Sequence, residues 1–431
     1  CSIGPRQARS DAMNDTLLLD PIRILQGPDR PVRDGAVLLE SGVLQGFDQA
    51  ARERAIQLGV TATEASGQLI APCLVDPHSV LESPFSGRSE TLDSLRRCAA
   101  AAGYGQVALL PRSPTWRDSP ERLIGFRDHD PREVTIHLWG GFSRGGAGTE
   151  LASHGDLLDL GAIGLADDDA LIPLALLERG LLLGEMGSAP VLVAPRDPAL
   201  QGDGMVREGV ETLRAGWAPD QETSETLPLR QLLALHQRHP ERQLRLMNVS
   251  TAAAVESLRA DALPPLTSVC WWHLLADRGD LPGGDASWRV HPSLGGAADR
   301  EALQQALREQ LIRAVSVHAV PMDAEDMLLP PDQRPPGLSG HHLVLPALWD
   351  ALVRNGDFSL EQLWQGLSFG PSALIDQPPE ALAVGSRRWL LFAPEQTWQV
   401  RQDDAAAPMA ANLALLNREM RGRVTACGLS R

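Results

Sequence analysis

Eight short apolar runs punctuate this chain, at about 69–78, 106–111, 134–140, 162–167, 190–194, 243–249, 266–272 and 312–318. Between them lie stretches with helical spacing of apolar residues, among them Glu90–Ala102, Leu227–His239 and Ala298–Glu309. A run apolar on both faces and followed by a helix is buried most simply in a parallel sheet covered by helices. Eight strand-then-helix units close on themselves, so the pattern predicts an α/β chain organised as a (β/α)8 TIM barrel. Such a barrel takes about 250 residues, which leaves a remainder of the 431. The remainder carries short β-like runs separated by turn residues: Leu17–Asp20, Ile22–Leu25 and Gly35–Glu40 at one end, and Arg388–Ala393, Thr397–Arg401 and Arg421–Ala426 at the other. These ends are expected to build one small β-sandwich-like satellite domain from both termini. The predicted boundaries are 1–68, 69–380 and 381–431, with residues 1–13 a loose tail.

All 39 basic residues are arginine, since the chain has no lysine. That excludes a Schiff-base lysine, a phosphate-loop lysine and a carboxylated lysine bridging two metals. The five cysteines are scattered without a CxxC pair, which predicts isolated thiols rather than a disulfide framework or a zinc knuckle. A formal charge of −16 without a basic cluster argues against nucleic acid and anionic membrane as partners. No apolar run reaches the roughly 18 residues of a membrane span, and no basic region followed by a hydrophobic stretch opens the chain, so a cytoplasmic protein is expected.

In a barrel of this kind reactive groups lie where the strands stop. Strand one, within Leu69-Ile-Ala-Pro-Cys-Leu-Val-Asp-Pro-His78-Ser-Val80, ends in Asp76, His78 and Val80. Strand four ends in Asp167-Asp168-Asp169, strand five in Ala194-Pro-Arg196-Asp197 and strand six in Asn248-Val-Ser-Thr251. Strand seven gives Trp271-Trp-His273, and strand eight Val317-His318.

Taken in order, these ends resemble those of dihydroorotases, within the amidohydrolase superfamily, and the resemblance spans nearly the whole chain. Leu74-Val-Asp-Pro-His78 is similar to the family's strand-one motif, Ala99-Ala-Ala-Ala-Gly103-Tyr to its first helix end, and Gly161-Ala-Ile-Gly-Leu-Ala-Asp-Asp168 to its acidic strand-four motif. Asn248-Val-Ser-Thr251 resembles His-Val-Ser-Thr, Asp299-Arg-Glu-Ala-Leu303 the helix before strand eight, and Met420-Arg-Gly-Arg-Val424 the closing strand entry. The resemblance implies hydrolysis or closure of the cyclic amide of dihydroorotate on zinc held by histidines and acids. Carried over position by position, His78 keeps the first histidine and Asp167 or Asp168 the acid. Val80, Ala194 and Asn248 replace the other histidines, and Val317 replaces the aspartate that serves as ligand and general base. Glu82 stands for the family's substrate arginine and Arg112 for its asparagine, while His291-Pro-Ser-Leu-Gly295 loses the polar anchors of its Asn-Pro-Pro-Leu-Arg. Neither Glu82 nor Gly295 supplies a guanidinium fork for a carboxylate.

The resemblance thus implies a dihydroorotase-like protein of pyrimidine biosynthesis without catalytic residues. It would be an oligomer and a structural or regulatory partner of aspartate carbamoyltransferase. A vestigial pocket of His78, Asp167, Asp168, Asn248, His273 and His318 is expected, without a cofactor. Two alternatives stay open: an active cyclic-amide hydrolase with a rebuilt site, holding zinc at His78 and Asp168, and a small-molecule-binding barrel whose mouth is lined by Glu82, Arg112, Arg196 and tryptophans. Locally, His78 is expected to bond Asp167 or Asp168, and the acidic triplet to form a solvated turn or an N-cap before Ala170. Trp271 and Trp272 are expected to fill volume, and Gly145–Gly148 to form a flexible loop. His341-His342 is read as a surface pair, or else as part of a relocated metal site with His318 or His137.

Overall fold

A computed structural model describes residues 16–126, 130, 132–281 and 288–429; the tail at 1–13 lies outside them. The chain begins with β1 (Thr16–Ile24), β2 (Arg33–Glu40), β3 (Val43–Phe47) and β4 (Ala62–Pro72). The barrel strands β5 (Leu74–Ser79), β6 (Tyr104–Leu109), β7 (Thr135–Gly141), β8 (Gly164–Ala166) and β9 (Val191–Val193) follow. A two-residue pair, β10 (Val206–Arg207) with β11 (Pro219–Asp220), interrupts the series before β12 (Leu244–Leu246), β13 (Ser268–Cys270) and β14 (Ala314–Ser316). The last strands are β15 (Trp389–Gln399) and β16 (Glu419–Cys427).

Six parallel strands run in the order β12-β9-β8-β7-β6-β5, and β13 pairs with β14. Two seams complete the ring. A parallel bridge between Leu246 and Thr267 joins β12 to β13, and the Val80 N–H donates to the Ala319 carbonyl at 2.8 Å to join the first strand to the last. The expected eightfold barrel is therefore present, with each strand displaced by only a few residues from its apolar run. The helices also fall where expected, at Leu92–Ala101, Thr223–Arg238 and Ala297–Arg308. Thr251, closing the Asn-Val-Ser-Thr motif, caps the helix Ala252–Ala260 by accepting from the Ala254 N–H at 3.1 Å.

The satellite is one sheet in the order β16-β15-β4-β1-β2-β3, drawn from both ends of the chain. Its last N-terminal strand corrects the reading of 69–78 as a single strand, because residues 69–72 belong to β4 and pair with β15. Pro72 has no N–H to continue a ladder, so the chain changes sheets at Cys73. The carbonyls freed there are taken by Trp364 Nε1 on Pro72, at 3.0 Å, and by Ser368 Oγ on Cys73, at 2.7 Å. A domain boundary at 68/69 thus falls inside β4.

Inside the barrel, Val75, Ala108, Trp139, Ala166, Leu192, Met247 and Ala314 form one apolar cluster, as expected of a packed interior rather than a pore. The Trp139 indole remains satisfied through the Pro77 carbonyl at 3.0 Å. Among the described residues no helix is long and apolar enough to cross a membrane. Close approach is most severe at Gly370, where a Cβ would overlap the Arg313 carbonyl at the entry to β14. Gly370→Ala is expected to cost about 1–3 kcal/mol, read as a lowered thermal midpoint. Gly155→Ala, where a Cβ meets nothing within 4 Å, should leave the midpoint unchanged or slightly raised.

Candidate functional site

His78 lies fully buried on β5. Its Nδ1 is 3.1 Å from the Nδ1 of His318, and its Nε2 is 2.8 Å from Ser268 Oγ. Whichever ring carries the shared proton, both nitrogens of His78 are engaged. Burial and the neighbouring His318 hold His78 well below the usual imidazole range, so it is neutral. Ser268 Oγ also accepts from the Asn248 N–H at 3.0 Å, and Ser316 Oγ donates to Asn248 Oδ1 at 2.7 Å. Asn248 sits at φ +50°, a left-handed conformation that asparagine tolerates. The result is a polar chain linking the ends of β5, β12, β13 and β14.

The replaced positions around this chain are apolar and buried. Val80 and Ala194 join the interior cluster, and Val317 is 2 % exposed beside His318. The space bounded by Asp169, Cys270, His291, Val317, His318 and Gly337 amounts to about 10 Å³, the least that accommodates one water molecule. Trp271 and Trp272 are buried and pack edge-on at 5.2 Å between ring centres.

The acidic triplet departs from both local expectations. Asp167 accepts from the N–H groups of Phe142 (3.0 Å) and Ser143 (2.9 Å) and from Ser143 Oγ (2.6 Å). Its oxygens are committed to the turn after β7, and so the expected bond to His78 is not made. Asp168 lies 3.6 Å from Arg112, which also binds Glu82 at 2.9 Å. Burial and then Asp169 push Asp168 up to about 6. Asp169 meets Arg196 at 2.8 Å and His291 at 3.2 Å. Burial opposes its charge, yet Arg196 and His291 hold it well below the usual carboxylate range. Asp168 and Asp169 thus form an ion-paired rim while Asp167 anchors the turn after β7; the triplet is no cap, because the next helix starts at Leu174 behind Pro173.

His341 and His342 are buried rather than on the surface. Gly340, at φ +118°, turns the chain so that the helix His341–Leu348 enters the core. His341 Nε2 lies 2.9 Å from Asp76 Oδ2, a pairing across 265 positions. Asp76 also accepts from Ser79 Oγ and from the Val317 N–H at 3.0 Å. His342, beside the Trp398 ring, has no hydrogen-bond partner among the described residues, and burial lowers it to about 4. His273 bonds the Pro292 carbonyl at 2.9 Å and is likewise lowered to about 4 by burial. His137 pairs with Gln106 at 2.8 Å. Of Gly145–Gly148, the first two residues belong to a 3-10 turn, Arg144–Gly146, in the loop after β7.

Sequence reasoning missed Arg207, an arginine 3 % exposed that meets Asp220 at 3.0 Å and Glu225 at 2.8 Å. Glu225 in turn accepts from the N–H groups of Ser250 (2.9 Å) and Thr251 (3.2 Å), fixing the loop after β12. The only sequence signal was the Ser-Thr pair at that helix start.

Zinc does not fit this donor set. Two nitrogens of one tetrahedral zinc stand roughly 3.3 Å apart at Zn–N distances of about 2.0–2.1 Å, and the His78–His318 separation is near that. A zinc site needs a third protein donor; among the described residues no group of three or more His, Cys, Asp or Glu side chains is placed to hold a metal.

A closed eightfold barrel, a satellite sheet from both chain ends and an imidazole and acids gathered at the strand ends define an amidohydrolase-type protein. The fold matches D-hydantoinase (dihydropyrimidinase) from Thermus sp. with a TM-score of 0.75 at 16% identity, over 96% of this chain and 94% of that one. L-hydantoinase from Arthrobacter aurescens matches with the same TM-score at 18% identity, over 95% and 93%. A probable dihydroorotase-like protein of Synechocystis sp. is 31% identical over 392 residues, covering 83% of this chain and 87% of that protein. A dihydroorotase-like protein of Pseudomonas aeruginosa is 29% identical over 77% and 80%, and the dihydroorotase of Bacillus cytotoxicus is 27% identical over 79% and 82%. The chain belongs to the dihydroorotase-like family. No protein-family model matches it.

Two outcomes follow from the site's electrostatics. Arg207→Met leaves two buried carboxylates unpaired and should cost about 3–5 kcal/mol, seen as a large drop in thermal midpoint. Arg259→Met, at an exposed pair with Glu309, should barely move it. His273 and His342 fold neutral with values of about 4, against about 6.5 unfolded. The unfolded chain therefore binds more protons below pH 6.5, and stability should fall from there toward pH 4. A thermal midpoint measured across that range checks this, and His342→Phe should flatten the slope.

Proposed function

We propose that the chain is a non-catalytic dihydroorotase-like protein of pyrimidine biosynthesis, acting in the cytoplasm as a structural or regulatory partner of aspartate carbamoyltransferase. The observation that carries this reading is His78 itself, with both nitrogens spent on His318 and Ser268. Hydrolysis of a cyclic amide on a metal needs an activated water and a polarised carbonyl. Here the donors for such a metal fall one short, and Val80, Ala194 and Val317 bring no polar atom to the mouth. Loss of a general base alone lowers a rate by about 10²–10⁴. Recognition of a substrate carboxylate is also unsupported, because Glu82 occupies Arg112 and Gly295 offers no fork.

The test pairs elemental analysis of protein purified without added metal with a dihydroorotate hydrolysis assay and with gel filtration beside the host's aspartate carbamoyltransferase. Substoichiometric zinc, no turnover and co-elution are expected. Stoichiometric zinc with turnover would overturn the proposal in favour of a rebuilt hydrolase. A thermal shift with a metabolite, without co-elution, would favour a small-molecule-binding barrel.

A further inference from the structure

Away from His78 and the acidic rim, the barrel and the satellite sheet leave a cavity of about 890 Å³ between them. Three elements wall it: the 3-10 turn Trp271–Leu274 after β13, the helix His341–Leu348 with the turn that continues it to Arg354, and the start of β16. Trp272, Trp288, Leu294, Pro346 and Met420 line it, and all five are buried, so its floor is apolar and largely aromatic. Small-molecule sites have this character, with volumes of roughly 300–1,000 Å³, and they gather at junctions between domains. The Trp272 indole N–H is the one buried polar side-chain atom of the lining without a partner among the described residues, a deficit that native interiors rarely leave unmet.

Charge accounting selects the ligand. Six charged side chains line the cavity, and four of them are engaged nearby. Arg354 is held by Asp350 at 2.6 Å and Arg421 by Glu395 at 2.9 Å, while Asp280 accepts from the Asp277 N–H at 3.0 Å within its own turn. The other two, Arg418 and Glu419, are exposed neighbours in the chain and make no side-chain hydrogen bond or ion pair among the described residues. A simple anion here would meet Glu419 and Asp280 as well as Arg418, and a simple cation would meet Arg418. A molecule carrying both charges matches both unspent groups. We propose that this cavity binds a free α-amino acid with a large flat side chain, its ring against the indoles, its carboxylate on Arg418 and its ammonium on Glu419. The site goes beyond the scaffold reading and does not rest on it, because it includes neither His78 nor the rim acids.

Isothermal titration calorimetry of the full chain with L-tryptophan and L-phenylalanine tests this, beside the matching amines, which lack the carboxylate, and the matching acids, which lack the ammonium. At least one of the two amino acids should bind saturably, and its amine and acid about tenfold or more weakly. Arg418→Ser should lower the affinity for the amino acid to that for the amine, and Glu419→Gln to that for the acid. Both variants should keep the thermal midpoint of wild type, since neither removes a contact, and Arg259→Met, at the exposed pair with Glu309, should bind as wild type does. No saturable binding of either amino acid by wild type would overturn the site. Binding that both variants leave unchanged would overturn it too, by placing the amino acid elsewhere. Equal affinity for the amino acid and its acid would overturn the zwitterion in favour of a simple anion. None of these results bears on zinc content, turnover or co-elution, so the scaffold reading stands or falls separately.

Discussion

The carboxylate of Asp76 is the interaction on which the rest of the barrel mouth depends. It accepts from the Val317 N–H, from Ser79 Oγ and from His341, and so joins the first barrel strand, the last one and the helix over them. Beside it, Ser79 Oγ accepts from the Ala319 N–H at 2.8 Å. The strands that close the ring, β12, β13 and β14, are three residues each, too short to supply a long backbone ladder. Side chains therefore hold much of the seam. A buried carboxylate is costly unless its lone pairs are used, and three donors from three elements meet that condition here.

The same constraint shapes the centre. With Asp76 committed to the seam, the imidazoles at 78 and 318 face one another in a water-poor space and stay neutral, since burial penalises their charged forms. Neutral rings pair by sharing one proton, and Ser268, Asn248 and Ser316 extend the chain across the barrel. The charged groups are pushed outward to the rim, where Arg112 and Arg196 neutralise Glu82, Asp168 and Asp169. Val80, Ala194 and Val317 are buried beside them, and Asp169 of the rim bounds the same small space as His318 of the centre.

The barrel was legible in the sequence because its signal is periodic and local: each strand is an apolar run and each helix a spaced one. What was hidden involved the choice of a partner. Residues 69–78 read as one strand because nothing in an apolar run marks a change of sheet except Pro72. The strand ends point to the residues of the mouth, but the expected bond from His78 to Asp167 or Asp168 is not made: the Asp167 oxygens belong to Phe142 and Ser143, in the loop before its own strand, and Asp168 faces Arg112. His341 was placed on the surface, because the acid it needs lies 265 positions away. Arg207 itself gives no signal beyond the Ser-Thr pair at the helix start, since a buried arginine is recognisable only once Asp220 and Glu225 are beside it.

Hydrogen-bond accounting explains why an acid and an imidazole sit at the end of the first strand, whatever chemistry the mouth serves. Deleting the Asp76 carboxylate would take the acceptor from His341, from the Ser79 hydroxyl and from the Val317 N–H; deleting His78 would take the partner of His318 Nδ1 and leave Ser268 with only its Leu246 and Asn248 contacts. Each buried group left unpaired costs about 1–3 kcal/mol, so these two residues are fixed by their neighbours. Val80, Ala194 and Val317 are different, because a valine or alanine there satisfies itself by burial and leaves no donor or acceptor exposed to an apolar wall. A barrel mouth can thus give up metal ligands at positions where nothing else depends on them, and must keep polar side chains where the seam does. On that division, the polar residues at 76 and 78 belong to the architecture, and the chemistry they resemble is separable from it.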